Sequence, residues 1–236
     1  MTPSISVCMA IKNGATFIHE QISSILPQLA VGDEVVISDD YSTDDSITKV
    51  QKFNDPRIRV VHNNGQGIVS NFETALRASR GTYVFLADQD DVWKENKILT
   101  MLSYLRNYDL VVSDCTVVNE FLVPTTESFF RRNHSGKGIL RNLLKNSYMG
   151  CCMAFHRRVL EKALPFPKQI HMHDAWIGLI GELYFSVHFT PTNLVYHRRH
   201  LNNATSTSKK SNSGWVDRII SRYWLLKKLI ESKYAF

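Results

Sequence analysis

Three aspartates lie within four residues in the segment FLADQDDVW, at Asp88, Asp90 and Asp91. They directly follow the apolar run 83–87, which is typical of a buried strand. Crowded carboxylates repel one another and need a counter-charge. Oxygen ligands favour Mg²⁺ or Mn²⁺, and a site with few protein ligands leaves positions open for phosphate oxygens and water. The segment therefore predicts a divalent-cation site for a diphosphate, rather than only a solvated acidic turn before a helix.

Two kinds of chemistry suit this acidic segment. In one, the cation holds a diphosphate and assists its departure as a Lewis acid and template. In the other, Asp88 is the nucleophile and Asp90 the general acid of an aspartate-based phosphatase, because DQDDV fits an Asp-x-Asp-x-Val pattern. Such phosphatases usually carry that pattern on their first strand, whereas here it follows the fourth predicted strand. A second acidic cluster, ISDDYSTDDS, places Asp39 and Asp40 after another strand, and two such clusters favour a nucleotide ligand.

The elements that position these carboxylates alternate between strand and helix. Apolar runs predict strands, and three- and four-residue spacing predicts helices. The strands are 4–11, 34–38, 58–61, 83–87 and 110–113, and the helices are 17–26, 69–79 and 94–105. This order indicates an α/β domain on a mostly parallel central sheet flanked by helices, followed by a more irregular second half in which long strands no longer dominate. Ligands bind such sheets at the carboxyl ends of the strands, where both acidic clusters fall.

Length and composition indicate one full-size globular domain with appendages: 236 residues, 44% hydrophobic and 21% charged. No stretch approaches the roughly 18 to 20 apolar residues of a membrane-spanning helix, and residues 1–14 lack the pattern of a signal peptide. Four irregularly spaced cysteines predict buried thiols in a reducing compartment: Cys8, Cys115, Cys151 and Cys152. We therefore expect a cytoplasmic protein.

Positive charge is concentrated at the end of the chain. The formal net charge is +6, yet residues 209–236 carry seven basic and two acidic residues, which leaves the remainder nearly neutral. A nucleic-acid enzyme would spread this charge along a groove, so we expect no nucleic-acid partner. The composition of residues 204–214 predicts a flexible loop. The three- and four-residue spacing of apolar residues in 215–236 predicts a basic amphipathic helix. That helix would pack on the domain core, pack on a second subunit in a homodimer, or bind an anionic membrane surface.

Four segments resemble, in order, the successive motifs of the family 2 glycosyltransferases, which are inverting enzymes with a GT-A fold. They are SVCMAIKNGATFIHEQISSILPQ, VVISDDYSTDDS, GTYVFLADQDDVW and MHDAW. The DQDDVW form is most similar to bacterial rhamnosyltransferase-like members that build O-antigen and capsule polysaccharides. The resemblance implies a catalytic domain over 1–203, with a nucleotide-binding half at about 1–113 and an acceptor-side half at 114–203.

This resemblance implies a nucleotide pocket at the ends of the first two strands. Ala10, Lys12 and Asn13 would line the base pocket. Asp39 would accept a hydrogen bond from a pyrimidine ring N–H, which a carboxylate is suited to do. Asp40 would lie beside it, or would serve only as a turn residue.

The same resemblance assigns roles around the acidic segment. Asp88 would face the ribose or the metal, and Asp90 would ligate the metal that holds the diphosphate. Asp91 would support them or orient the sugar, and Trp93 would provide packing or a wall on the acceptor side.

Two later segments complete the implied site. YHRRHLNN, at 196–203, resembles the segment after the final strand that closes over the diphosphate. Arg198 would contact phosphate there, and His200 would be an additional metal or phosphate ligand. In YMGCCMAF, Gly150 and Cys151 resemble the acceptor-side strand, where a small residue admits the sugar.

An inverting transfer needs one general base on the face opposite the leaving diphosphate. By resemblance that base is Asp174 in HMHDAW, ahead of an apolar helix at 175–183. An N-cap role is the structural alternative for Asp174. Many relatives have Glu before this Asp, whereas this chain has His173, which we place near the donor or acceptor sugar.

The predicted function is therefore inverting transfer of a hexose, or a deoxyhexose such as rhamnose, with Mn²⁺ or Mg²⁺. The predicted donor is a UDP- or dTDP-sugar, and the predicted acceptor is a polyprenyl-diphosphate-linked bacterial surface glycan at the inner face of the cell membrane. The aspartate phosphatase and a catalytically silent carbohydrate-binding relative remain the alternatives.

Overall fold

The computed structural model describes residues 4–200 and 215–234. Strands and helices alternate through the first half, as predicted. In chain order the elements are β1 Ile5–Ile11, α1 Ile18–Ile25, β2 Glu34–Asp39, α2 Ser46–Gln51, β3 Ile58–His62, α3 Gly67–Ala78, β4 Tyr83–Asp88, β5 Val92–Trp93, α4 Lys97–Leu105, β6 Leu110–Val118, β7 Pro124–Thr126, α5 Phe129–Asn133, α6 Ile139–Leu144, β8 Met153–His156, α7 Arg157–Ala163, α8 His173–Tyr184, β9 Val187–Arg198 and α9 Trp215–Tyr234.

One sheet runs through the domain in the order β3-β2-β1-β4-β8-β6-β9-β5, and β7 pairs with β6. The first four strands pair in parallel, as their continuous apolar runs predict. The second half is mixed, because β8 lies antiparallel between β4 and β6 while β6 and β9 are parallel. The predicted α/β architecture is therefore confirmed, with parallel pairing concentrated in its first half.

The register of β1 brings both acidic clusters to one edge of the sheet. Ile11 at the end of β1 pairs with Asp39 of β2. On the other side of the strand, Ala10 pairs with Asp88 of β4. Because all three strands are parallel, their carboxyl ends meet at this edge. Helix α3 packs against β1 and β2 and contributes the fully buried Phe72 to the core.

The expectation that long strands no longer dominate the second half is wrong. Strand β9 has 12 residues and β6 has nine. The periodicity of β9 is interrupted by Thr190 to Asn193, where one face of the strand is partly exposed and its register against β6 shifts. As a consequence Tyr196 to Arg198 lie within β9 rather than after the final strand.

The start of α4 also differs from its prediction. We expected a helix from residue 94, but Trp93 pairs with β9 and Asn96 has a φ of 61°, so the helix begins at Lys97. The left-handed backbone conformation of Asn96 separates strand β5 from helix α4.

Helix α9 packs on the domain through one face. It contacts α6 and α8, Leu229 is buried, and Ser232 Oγ lies 3.2 Å from Tyr184 Oη. Among the described residues, no helix combines the length and the apolar character required to cross a bilayer. The predicted loop at 204–214 lies outside the described residues, and the division into a 1–203 domain and a tail stays a prediction. All four cysteines are buried free thiols, as predicted.

Candidate active site

Two carboxylates stand at the end of β2 with different partners. Asp39 is buried and accepts a hydrogen bond from Ser42 Oγ at 2.6 Å. Asp40 accepts from Lys12 Nζ at 2.9 Å and from Asn63 Nδ2 at 2.7 Å. Burial opposes ionisation of Asp40, but its hydrogen bonds from Lys12 and Asn63 outweigh burial and lower its pKa. Asp40 and Lys12 therefore form a local ion pair beside Asp39.

The loop after β1 is held against the loops after β2 and β4. Asn13 has a φ of 51°, and its Oδ1 accepts from the backbone N–H of Thr43 at 2.8 Å. Gln89 Oε1 accepts from the backbone N–H of Lys12 at 2.9 Å, and Gln89 Nε2 donates to the Lys12 carbonyl at 3.2 Å. A Cβ at Gly14 would lie 2.4 Å from Gln89 Oε1, so a larger residue there would displace the Gln89 side chain from Lys12. Ala10 is buried beneath the loop.

Asp91 is fully buried and forms an ion pair inside the domain. Its Oδ1 lies 3.0 Å from His197 Nδ1 and accepts from the backbone N–H of Arg198 at 2.9 Å. Burial alone lowers the pKa of His197, but the charge and hydrogen bond of Asp91 together outweigh burial and raise it to about 9. Burial likewise opposes ionisation of Asp91, and the charge of His197 is the main influence that lowers its pKa. The pair is therefore an imidazolium and a carboxylate at neutral pH.

Asp90 and His200 meet at the partly accessible end of the acidic loop. His200 Nε2 lies 2.8 Å from Asp90 Oδ2, and the two side chains are 10% and 12% exposed. Burial and the charge of Asp91 raise the pKa of Asp90, although His200 opposes them. Burial and the charges of Asp91 and Asp90 raise the pKa of Asp88 well above its usual range. These carboxylates would be relieved by a cation, and the oxygen and imidazole donors suit Mn²⁺ or Mg²⁺.

A second group of potential ligands lies deeper. Atoms of Asp88, Asp91, Cys151 and His197 lie within 4.8 Å of one another. Two of its members fit a hard cation poorly. His197 Nδ1 is held by Asp91. The hydrogen bond with Cys152 and, to a smaller extent, burial raise the pKa of the Cys151 thiol well above its usual range. A thiol must lose its proton to ligate and favours softer metals.

Arg198 braces the acidic loop from behind. Its guanidinium is buried, with Nε donating to the Asp90 carbonyl at 2.8 Å and Nη1 donating to the Glu120 carbonyl at 2.6 Å. It also forms an ion pair with Glu20 and lies 4.5 Å from the centre of the Phe17 ring. The predicted contact of Arg198 with phosphate stays a prediction.

Asp174 lies in the first turn of α8. The N-cap position belongs to Met172, so the N-cap interpretation of Asp174 is wrong. Burial raises the pKa of Asp174 to about 6, against the opposing effect of hydrogen bonds from the backbone N–H groups of Ala175 and Gly150. A buried carboxylate with a pKa of about 6 is ionised at neutral pH and is basic enough to accept a proton.

His173 lies beside this carboxylate. Its ring stacks on Phe72 with centroids 3.8 Å apart, and burial lowers its pKa to about 3, so the imidazole is neutral. A Cβ at Gly150 would lie 3.1 Å from His173 Nε2 and 3.8 Å from Asp174 Cβ. Within the described residues His173 Nε2 has no hydrogen-bond partner. A side chain at position 150 would therefore crowd the His173 ring.

Three residues predicted near the sugars are too buried to contact one. Asp91 and Cys151 are fully buried, and Trp93 is 3% exposed. The cause is local: Asp91 pairs with His197, and Trp93 packs on Phe85 in the core. This structure therefore favours a supporting role for Asp91 and a packing role for Trp93, which were among the predicted alternatives.

Residues 6–164 match the family model described as Glycosyl transferase family 2. The chain belongs to glycosyl transferase family 2. The predicted family and its GT-A fold are thus confirmed.

This family 2 glycosyltransferase is similar to proteins of bacterial glycan synthesis. It is 28% identical to WfgD of Escherichia coli, a UDP-Glc:alpha-D-GlcNAc-diphosphoundecaprenol beta-1,3-glucosyltransferase, over 74% of this chain and 68% of WfgD. Its fold is similar to that of S. aureus TarS 1-349 in complex with UDP-GlcNAc, with a TM-score of 0.72, 16% identity, and coverage of 99% of this chain and 73% of TarS. It also resembles glucosyl-3-phosphoglycerate synthase from Mycobacterium tuberculosis in complex with Mn²⁺ and UDP, with a TM-score of 0.62, 19% identity, and coverage of 98% and 80%.

Sequence reasoning missed two cationic groups of this glycosyltransferase, Lys97 and His197. Lys97 is fully buried, donates to the Cys151 carbonyl at 2.5 Å and lies 3.9 Å from the centre of the Trp93 ring. Lys97 stands four residues before Met101 on the apolar face of α4, which was the available signal for its burial. His197 lies among basic residues in YHRRH, where nothing local marks it as the partner of Asp91.

The Asp91–His197 pair gives a stability prediction. Asp91→Asn keeps the shape of the side chain but removes its charge, and we expect the free energy of unfolding to fall by about 2 kcal/mol, the typical contribution of a charged hydrogen bond. Urea unfolding at pH 7 measures this change. Glu73→Gln, at an exposed ion pair with Arg77, is the matched control and should cost less than about 1 kcal/mol. Equal losses in the two variants would contradict the proposed internal ion pair.

Proposed function

We propose that this chain is an inverting transferase that moves a hexose or deoxyhexose from a UDP- or dTDP-sugar to a hydroxyl of a lipid-linked bacterial surface glycan. One observation carries the proposal. The turn of Gly150 and Cys151 joins the two halves of the site: Gly150 N–H donates to Asp174, and Cys151 Sγ lies 3.7 Å from His197 Nδ1, next to Asp91. A candidate base and the acidic loop therefore flank a single turn.

The donor nucleotide is proposed to lie across the ends of β1 and β2. Asp39 would accept a hydrogen bond from the ring N–H that uracil and thymine share. Ala10, Lys12 and Asn13 would line the same pocket, with the Lys12–Asp40 ion pair fixing the loop. The names of WfgD and of the TarS complex include UDP-Glc and UDP-GlcNAc, which supports a UDP-sugar for this chain.

The diphosphate is proposed to lie at Asp90 and His200, which would hold Mn²⁺ or Mg²⁺ together with Asp88. The related synthase structure that contains Mn²⁺ and UDP supports this cofactor. When bound, the cation neutralises the diphosphate and acts as a Lewis acid for its departure. Arg198 holds the Asp90 backbone in place, and the Asp91–His197 pair supports the loop from below.

Asp174 is proposed to accept the proton of the acceptor hydroxyl. Because inversion is a single displacement at the anomeric carbon, one base on the face opposite the diphosphate suffices. Gly150 packs against this carboxylate, where a Cβ would lie 3.8 Å from Asp174 Cβ. A contact between His173 and a sugar stays a prediction, since its ring nitrogen Nε2 is buried.

Family membership favours this transferase over the two alternatives. The Asp-x-Asp-x-Val pattern follows the fourth strand in this chain, whereas aspartate-based phosphatases usually carry it on their first strand. Residues 6–164 match a family model of glycosyl transferases, which favours a transferase over a catalytically silent binding protein.

The nucleotide assignment predicts selectivity for bases with a ring N–H. We expect UDP and dTDP to bind with Mn²⁺, and CDP, which lacks that donor, to bind at least about tenfold more weakly. Asp39→Ala should weaken UDP binding by about tenfold, for the loss of a charged hydrogen bond. Titration calorimetry of UDP, dTDP, GDP and CDP measures these affinities.

Asp45→Ala, at an exposed carboxylate of the neighbouring loop, is the control and should bind UDP like the unmodified chain. Equal affinity for UDP and CDP would contradict the role of Asp39. No nucleotide binding with Mn²⁺ or Mg²⁺ would contradict the transferase proposal as a whole.

The acceptor is proposed to be a glycan on polyprenyl diphosphate at the inner face of the cell membrane. The diphosphoundecaprenol in the name of WfgD supports this class of acceptor. Such an acceptor would bring the chain to the membrane surface, with α9 contacting either anionic lipid or a second subunit.

A further inference from the structure

Helix α6 exposes two leucines on one face. Leu140 is 76% exposed and Leu144 is 68% exposed, and their four-residue spacing places them side by side. The opposite face is anchored, since Asn142 and Leu143 are buried and Asn142 Nδ2 donates to Glu182 of α8 at 3.1 Å. The leucines are therefore held outward by a helix that is fixed to the domain.

Helix α9 presents a second apolar stripe next to the first. Its inward face carries Leu225 and Leu229, whereas the adjoining face exposes three large side chains: Tyr223 at 58%, Leu226 at 42% and Ile230 at 51%. Arg222 of α9 donates to the carbonyl of Leu144, so the two helices touch at this point. We call the five outward apolar side chains of the two helices the α6–α9 surface.

Cations surround the α6–α9 surface. Residues 128–150 contain no Asp or Glu and five exposed basic residues: Arg131, Arg132, Lys137, Arg141 and Lys145. Arg222, Lys227 and Lys228 add positive charge on α9, where Glu231 pairs with both lysines. Beneath α6, Glu182 accepts hydrogen bonds from Gly138 N–H and Tyr148 Oη, both inside the domain. The excess charge around the exposed leucines is therefore positive.

We propose that the α6–α9 surface lies on an anionic phospholipid bilayer. Apolar side chains ringed by cations are the composition that inserts between acidic headgroups. A second copy of the chain is a poorer occupant, because a two-fold contact would bring the same basic residues together and repel. The proposal deepens the proposed function, on which it rests, by naming the surface that would bring the transferase to a lipid-linked acceptor.

Vesicle flotation with the full chain tests the proposal. We expect binding to phosphatidylcholine vesicles that contain phosphatidylglycerol, and little binding to pure phosphatidylcholine. Lys137→Gln/Lys145→Gln should lower the partition coefficient by about 30-fold, from about 1 kcal/mol per cation near the surface. Leu140→Ser/Leu144→Ser should lower it by at least about tenfold through lost apolar burial.

Two matched double variants control for charge and exposed apolar area elsewhere. Lys52→Gln/Lys168→Gln and Val31→Ser/Leu99→Ser change exposed side chains of the same types on other elements, and should bind vesicles like the unmodified chain. Equal losses in controls and test variants, or equal binding to neutral and anionic vesicles, would overturn the proposal. The proposal would also be overturned if the chain does not bind vesicles and sediments as a dimer that Leu140→Ser/Leu144→Ser converts to a monomer.

UDP titration separates this proposal from the proposed function. The α6 variants should retain UDP and Mn²⁺ binding, because they lie outside the proposed nucleotide site. Failure of UDP binding in the unmodified chain would contradict the transferase proposal without affecting the flotation result. Loss of vesicle selectivity with UDP binding intact would overturn only the membrane proposal.

Discussion

Asp174→Asn is expected to reduce the turnover number by about 1,000-fold, within the range that general-base catalysis contributes. The amide has nearly the shape of the carboxylate but cannot accept the proton of the acceptor hydroxyl. Binding of the donor should be little changed, since Asp174 contacts the turn at Gly150 rather than the proposed nucleotide pocket. Initial rates of UDP release with a glycan acceptor measure the turnover, and calorimetry measures UDP binding.

The pH dependence of the reaction provides an independent signature. Because burial raises the pKa of Asp174 to about 6, the base is active above that pH and is lost as the pH falls through it. The rate should therefore decline below about pH 6, by tenfold per pH unit once the group is protonated. The small residual rate of Asp174→Asn should lack this decline.

Asp45→Asn makes the same chemical change at an exposed loop carboxylate and should retain full activity. An Asp174→Asn variant with more than about a tenth of the normal rate would show that another group accepts the proton. His173 is the neighbouring candidate, but burial keeps its pKa at about 3, which makes it a weak base.

Asp90→Ala is expected to remove the Mn²⁺-dependent part of UDP binding, a loss of at least about 500-fold or 3.7 kcal/mol. The carboxylate belongs to the acidic loop, and His200 Nε2 lies 2.8 Å from it. His200→Ala should cause a smaller loss, because the carboxylate supplies the charge that attracts the cation. Titrations of UDP with and without Mn²⁺ give the metal-dependent difference.

Cys151→Ser distinguishes the two groups of potential ligands. If Asp90 and His200 hold the cation, this change in the deeper group should leave Mn²⁺-dependent binding unaffected. Loss of that binding in Cys151→Ser, together with normal binding in His200→Ala, would place the cation at Asp88, Asp91, Cys151 and His197 instead.

The first half of the fold could be predicted because its strands are buried on both faces. Strands β1 and β2 are buried along their whole length, and they therefore appear as continuous apolar runs that end at polar residues. Strand β9 could not be recognised in the same way. Its middle residues from Pro191 to Asn193 are exposed or partly exposed, and its neighbour β6 lies about 80 residues earlier in the chain.

The candidate site was predictable to the extent that strand ends position its residues. Asp39 and Asp88 follow β-strands that adjoin β1, so topology alone brings them to one edge. The proposed roles of Asp174 and His200 came from motif resemblance, because nothing in their own spacing places them near that edge. His197 escaped prediction because its burial is recognised only through its partner Asp91. Lys97 escaped prediction although its helical spacing from Met101 indicated burial.

The side chain of Gln89 substitutes for a stretch of backbone. By accepting from and donating to the main chain of Lys12, it continues the β1–β4 ladder one step beyond the last residue of the sheet. The loop proposed to recognise the base and the loop proposed to hold the cation thus move as one piece. A nucleotide that orders the first loop pre-organises the second, so metal and nucleotide should bind cooperatively, each raising the affinity for the other.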